Sequence, residues 1–179
     1  PAVASIWNGY KPKIKVKDYT TTNYRPMAVA TGCSMGVDSL SSIFHHIDKD
    51  CLESYKLTHL TYFNVGAMGT TNLEETEQSF FSDLKKVKSL AAKLNLPVVW
   101  VNSNIHQLFY EFDFNQSHTF RNMSVVLSMQ KLFRRYFYAS TYIIPNYRLC
   151  RDDMSHFEDP ILARLFTEST ALVFDDADM

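Results

Sequence analysis

Residues 27–40 read MAVATGCSMGVDSL. Met27–Thr31 is a short apolar run that ends in small residues, the pattern of a buried strand feeding a tight loop, and Leu40, Ile43, Phe44 and Ile47 then recur at helical spacing. Asp38 or Ser39 is placed to cap or charge the start of that helix. Strand, small-residue loop and helix in succession form the opening unit of an α/β domain. The loop is also in an anion-binding position, because a helix start exposes N–H groups without intrahelical partners and the positive end of the helix dipole. Gly36 permits close approach to the backbone, and the hydroxyls of Ser34 and Ser39 can donate to phosphate oxygens. Taken alone, the hexapeptide SMGVDS reads more readily as an ordinary Ser/Gly-rich turn that caps a helix, and its position after a strand is what favours the anion site.

Outward from this unit the same grammar repeats. Leu57–Val65 (LTHLTYFNV) is rich in β-branched and aromatic residues and predicts a second strand ending near Asn64, closed by the loop Gly66–Gly69. Asn72 is a plausible cap for a long amphipathic helix. Its stripe is Leu73, Phe80, Leu84, Val87, Ala91 and Leu94, and acidic Glu74, Glu75 and Asp83 precede basic Lys85, Lys86 and Lys88 as the dipole favours. Leu96–Asn102 follows as a third strand, with Pro97 at its start, where a missing N–H is tolerated. Ser103–Phe120 reads as a short helix and a loop, Arg121–Phe133 as a helix and Arg135–Ser140 as a fourth strand. A short helix near Pro160–Phe166 and a last strand Ala171–Phe174 complete the pattern. Ahead of it all, Lys13–Tyr19 alternates charged and apolar residues as a half-exposed edge strand does. The expectation is a doubly wound α/β fold, HUP/Rossmann-like, with a mainly parallel sheet and an N-terminal edge strand, spanning 1–179 as a single nucleotide-binding domain.

Composition narrows the function. The chain has 179 residues, of which 46% are hydrophobic and 14% aromatic, enough for one sizeable core and too apolar for disorder. Eighteen Lys and Arg against 19 Asp and Glu give a net charge of -1, so nothing pulls it globally toward nucleic acid or an anionic membrane. No apolar run approaches the roughly 20 residues of a membrane-spanning helix, and no leader opens the chain, so a cytoplasmic protein is expected. Its end directly after Asp175, Asp176 and Asp178 suggests a chain trimmed at one or both ends. The three cysteines, Cys33, Cys51 and Cys150, form no CxxC pair, so no zinc site and no disulfide framework is expected.

The stretch Ser34-Met35-Gly36-Val37-Asp38-Ser39 resembles the signature Ser-Gly-Gly-x-Asp-Ser of the PP-loop ATP pyrophosphatases, the adenine nucleotide alpha hydrolase-like family. Met35 stands where that family has its first glycine. The resemblance extends from Met27 to about Ser140, through the strand ending at Asn64, the acidic-to-basic long helix and the Leu-Pro-Val-Val strand. Arg121-Asn122 resembles a pair found in the 7-cyano-7-deazaguanine synthase branch and its uncharacterised relatives. No Gly-Lys-Ser/Thr tripeptide of the Walker type occurs.

The resemblance implies that Ser34, Gly36, Val37, Asp38 and Ser39 hold the β- and γ-phosphates of ATP, with Mg²⁺ on the leaving pyrophosphate and Asp38 helping to hold it. It implies a ligase or synthase that adenylates a small-molecule or modified-base substrate; the alternative is a non-catalytic adenine-nucleotide-binding or regulatory module. Adenine would lie against Phe63 and Asn64, which otherwise read as a core residue and a turn residue. Arg121, read as exposed at a helix start, is assigned to the ligand and Asn122 to structure. No general base is identified. The deazaguanine synthase's C-terminal four-cysteine zinc site is missing, so the substrate does not carry over, and association into a homo-oligomer is left open. Met35 is expected to keep an ordinary backbone conformation with its side chain turned away from the ligand. Cys33 is either a reactive thiol activated by the helix start or a small packing residue. The histidines His45, His46, His59, His106, His118 and His156 show no metal-ligand spacing.

Overall fold

The computed structural model describes Lys15, residues 25–68, 73–109, Glu111, 114–139 and 171–175, without the side chains of 73, 115, 116 and 171–175. Strand β1, Ala28–Gly32, leads into helix α1, Val37–Ile47, and a 3₁₀ turn at Glu53–Tyr55 precedes β2, His59–Asn64. Helix α2, Leu73–Lys93, returns the chain to β3, Val98–Asn102. A 3₁₀ turn at Ile105–Phe109 and helix α3, Phe114–Ser128, lead to β4, Phe133–Ala139, and β5 is Ala171–Asp175.

The five strands form one sheet in the order β3-β2-β1-β4-β5, and every pairing is parallel. The chain therefore winds outward from β1 in both directions, which is the doubly wound arrangement, with the reversal between β1 and β4. Asn72, Gly69, the Lys13–Tyr19 strand apart from Lys15, and the Pro160–Phe166 helix lie outside the described residues.

Two cores sandwich the sheet. On one face Ile43 from α1 and Phe80, Leu84, Val87 and Ala91 from α2 pack on Val29, Leu60, Tyr62 and Phe137. The α2 residues are spaced to form one stripe of an amphipathic helix, and burying each large one contributes about 1.5–3 kcal/mol. On the other face Met123 and Val126 of α3 pack on Ala28, Ala30, Phe133 and Tyr136. Helix α2 closes with a Schellman motif: Asn95 takes a left-handed φ of 55°, its N–H reaches the Ala92 carbonyl at 3.2 Å, and the Leu96 N–H reaches Ala91 at 2.9 Å.

Three expectations change. The buried face of α1 is Ser39, Ser42, Ile43 and His46, while Phe44 is 54% exposed. The helix has turned toward its polar residues because each is satisfied: Ser39 Oγ donates to the Gly36 carbonyl at 2.9 Å, Ser42 Oγ meets Thr31 Oγ1 at 3.4 Å, and the His46 ring stacks on Phe137 with centroids 3.6 Å apart. The cap of α1 is Gly36, with no side-chain capping bond, so neither Asp38 nor Ser39 caps the helix; both lie in its first turn, where Asp38 places its charge as expected. Finally, α3 begins at Phe114 and ends at Ser128, so Arg121 lies in mid-helix. Its first half buries Ser117, His118 and Thr119, and a helix that buries polar side chains shows no apolar stripe to read.

Candidate functional site

A cleft of about 450 Å³ opens at the carboxyl ends of β1, β2 and β4. Open parallel sheets bind ligands here, where the winding reverses and neighbouring loops part. Its volume falls within the roughly 300–1,000 Å³ of small-molecule sites. One wall is the loop after β1: Gly32, Cys33, Ser34, Gly36, Asp38 and Ser39. Thr61, Tyr62 and Phe63 at the end of β2, with Val65, Ala67 and Met68 after it, form the second. Tyr136, Tyr138 and Ala139 of β4, with Asn122 of α3, form the third, and Asp83 enters from α2.

The β1 loop is held by its own hydroxyls. Ser34 Oγ donates to Ser39 Oγ at 3.1 Å and accepts the Gly36 N–H at 3.4 Å. The one O–H of Ser34 is thus engaged with Ser39, and it reaches an incoming acceptor only by rotating away from that bond. The α1 start has no side-chain cap, so its first N–H groups and the dipole face outward beside the cleft.

Met35 departs from the expected ordinary conformation. Its φ is 65°, the left-handed region that costs an L-residue with a Cβ about 1–2 kcal/mol. The position thus keeps the backbone geometry a glycine would take freely, and the Met side chain accommodates it by turning back, with its Sδ 3.7 Å from the Cys33 Sγ. Cys33 is buried, and burial pushes its thiol pKa up despite the hydrogen bond at Met35, which acts the other way. That environment suits the packing residue and disfavours the activated thiol.

The floor of the cleft is a hydroxyl pair. Tyr136 Oη lies 2.7 Å from Thr61 Oγ1, which itself donates to the Thr31 carbonyl at 3.2 Å, tying β4, β2 and β1 together. Burial drives the Tyr136 pKa upward, and burial followed by the charge of Asp83 raises that of Tyr62 to about 12, so both phenols are neutral donors or acceptors at neutral pH.

The structure brings together Ser34, Gly36, Asp38, Ser39 and Phe63 on the cleft, and Val37 is exposed at the first position of α1. Asn64 and Arg121 are not part of its lining. Asn64 is buried beneath it, donating to Asn102 Oδ1 at 2.8 Å and accepting the Gly66 N–H at 3.2 Å. Arg121 is 3% exposed; it donates to the Val65 carbonyl at 3.4 Å and the Phe109 carbonyl at 3.2 Å, with its guanidinium 5.5 Å and 5.4 Å from the Phe109 and Phe114 rings. It ties the turn after β2 to the 3₁₀ turn and α3, a structural task, while its neighbour Asn122 faces the cleft. Thr61, Tyr136, Tyr138 and Asp83 are among the lining residues that the sequence reading did not place at the site, and Asn122 is another, expected there to be structural. They come from strands and helices that meet only through parallel crossovers; Thr61 and Tyr138 lie near strand ends, whereas Tyr136 is in the middle of β4 and Asp83 and Asn122 are inside helices, where sequence gives no signal.

No Lys or Arg is among the described lining residues, whereas Asp38 and Asp83 are. Among the described residues no group of three or more His, Cys, Asp or Glu is arranged to hold a metal, and no helix is long and apolar enough to cross a membrane. Fold and cleft together define an open parallel-sheet α/β protein with a cleft at the topological switch point. Compared with known proteins, the chain matches no family model, no curated protein and no solved structure.

Proposed function

We propose that the chain binds Mg·ATP in this cleft and adenylates a small-molecule or modified-base substrate with release of pyrophosphate. The observation that carries the reading is the loop Ser34–Ser39, with its uncapped helix start and a backbone at residue 35 in the glycine-like conformation, opening onto the switch-point cleft. The residues present fit a nucleotide polyphosphate: the N–H groups of the α1 start and the hydroxyls of Ser34 and Ser39 are its donors, and Phe63 offers a ring face and strand-end backbone to a base. They fit it as a metal complex. A polyphosphate brought next to Asp38 and Asp83 with no lysine or arginine among the described lining residues needs a divalent cation for neutrality, and Asp38 is the carboxylate nearest the helix start. ATP supplies an electrophilic phosphorus with pyrophosphate as leaving group; the protein positions it and offsets charge.

The test is titration calorimetry with Mg·ATP on the wild type, Ser39→Ala and Asp38→Ala, followed by product analysis with radiolabelled ATP. Each variant loses about 10- to 150-fold in affinity, the equivalent of one charge-assisted hydrogen bond of roughly 1.5–3 kcal/mol. AMP and pyrophosphate as products support the adenylating enzyme, and ADP refutes it. Unchanged affinity in both variants refutes the phosphate-loop assignment. The strained Met35 favours a second reading, a nucleotide-binding module without turnover, whose signature is binding with no product once candidate acceptors have been supplied.

A further inference from the structure

The amino end of β4 carries a feature the cleft does not use. A parallel strand alternates its side chains with period two, yet Phe133 and Tyr136, three residues apart, both lie in the α3-side core. The extra residue is Arg134: β1 pairs Ala28 with Phe133 and Val29 with Arg135, so the register skips it and forms a bulge. The bulge turns two consecutive arginines to one side. Arg134 Nη2 and Arg135 Nη1 both donate to a single acceptor, the Ser54 carbonyl, at 2.8 Å and 2.5 Å, and the Arg135 guanidinium lies 3.8 Å over the Tyr55 ring.

Two positive charges that share one carbonyl repel each other, and no carboxylate is paired with either among the described residues. Glu53, next to Ser54 in the chain, is 3.1 Å from Lys56 instead. Both Nε atoms are buried and have no hydrogen-bond partner among the described residues, so each fork carries an unmet donor there and presents its Nη groups outward. Capping the last carbonyls of a 3₁₀ turn would need one arginine. We propose that Arg134 and Arg135 form a binding site for a tetrahedral phosphate dianion, inorganic phosphate or a phosphate monoester. Paired guanidinium forks match its charge of about −2 and its several acceptor oxygens better than they match one carboxylate. The site is distinct from the cleft: the arginines begin β4, and Tyr138 and Ala139 at the other end of that strand line the cleft.

The test reads the arginine Nε–H resonances of the ¹⁵N-labelled full chain at constant ionic strength, with inorganic phosphate, glycerol phosphate and acetate as probes. Arg134→Lys and Arg135→Lys assign the two signals. The expected result is that both signals shift saturably with inorganic phosphate or glycerol phosphate, half-saturated at about 1 mM or below, and that each Lys variant weakens the affinity about tenfold or more. The tighter of the two phosphates identifies the source. The dispersed amide spectrum reports whether a variant is folded, and if one is not, the wild-type titrations decide. Shifts that stay linear through the millimolar range with both phosphates, or acetate binding as tightly as either, overturn the proposal.

Discussion

Replacing Met35 tests the geometry of the loop through an inversion of sign. At most positions glycine is less stable than alanine by about 0.5–1 kcal/mol, because the unfolded chain is freer. At φ 65° an alanine keeps the left-handed penalty of about 1–2 kcal/mol and glycine sheds it. The difference favours Met35→Gly over Met35→Ala by about 0.8 kcal/mol at the centre of those ranges. Both variants lose the same contact with the Cys33 sulfur, so it cancels between them. Urea denaturation of the pair reads the quantity directly, and a melting comparison should place the glycine variant about 2–3 °C higher for a chain of this size. Mg·ATP should bind Met35→Gly at least as tightly as the wild type, since the glycine holds the loop shape at no steric cost. An alanine variant as stable as the glycine variant, or more so, refutes the left-handed conformation and with it the account of the loop.

Gly66→Ala should be severely destabilising. Its φ is 101°, and an added Cβ would sit 2.7 Å from the His106 Cβ and 2.9 Å from Arg121 Nη1, so strain and overpacking together cost about 2–5 kcal/mol in denaturant titration. Arg121→Leu should lower stability by about 2–4 kcal/mol, because the carbonyls of Val65 and Phe109 lose a buried charged donor, while Asn122→Ala leaves the midpoint within about 0.5 kcal/mol. Stability should fall as the solution becomes alkaline. Cys33, Tyr62 and Tyr136 have folded pKa values raised above their ordinary ones, so their contribution is complete below the unfolded values of 9.0 and 10.0 and is lost as the pH rises through the folded ones, about 12 for Tyr62. A denaturation midpoint that does not change between pH 8 and 11 would contradict this.

The β-α-β order was legible because Gly and Pro punctuate it and because α2 carries an unmixed apolar stripe; Phe80, Leu84, Val87 and Ala91 are all buried. Even β5 was marked by Ala171–Phe174. Helix α3 was not legible at its start, since Ser117, His118, Thr119 and Arg121 are polar yet buried and so look, in sequence, like solvent-facing residues. That misplacement read Arg121 as exposed at a helix end, whereas it is buried in mid-helix and donates to the Val65 and Phe109 carbonyls. The wall of the cleft formed by the loop after β1 is local in sequence, a strand followed by a few residues. The opposite wall depends on contacts such as Thr61 with Tyr136, 75 residues apart, which no local pattern encodes.

The bulge at Arg134 also bears on how the gene for this strand can change length. In most buried strands the loss of one residue exchanges inside for outside along everything that follows. Here the opposite holds: removing Arg134 alone would leave Phe133 and Tyr136 two apart, so a regular strand would return both to the face they already occupy, with Arg135 and Phe137 still on the other. The core is therefore indifferent to a one-residue deletion at this point, and the sheet places no demand of its own on keeping the second arginine.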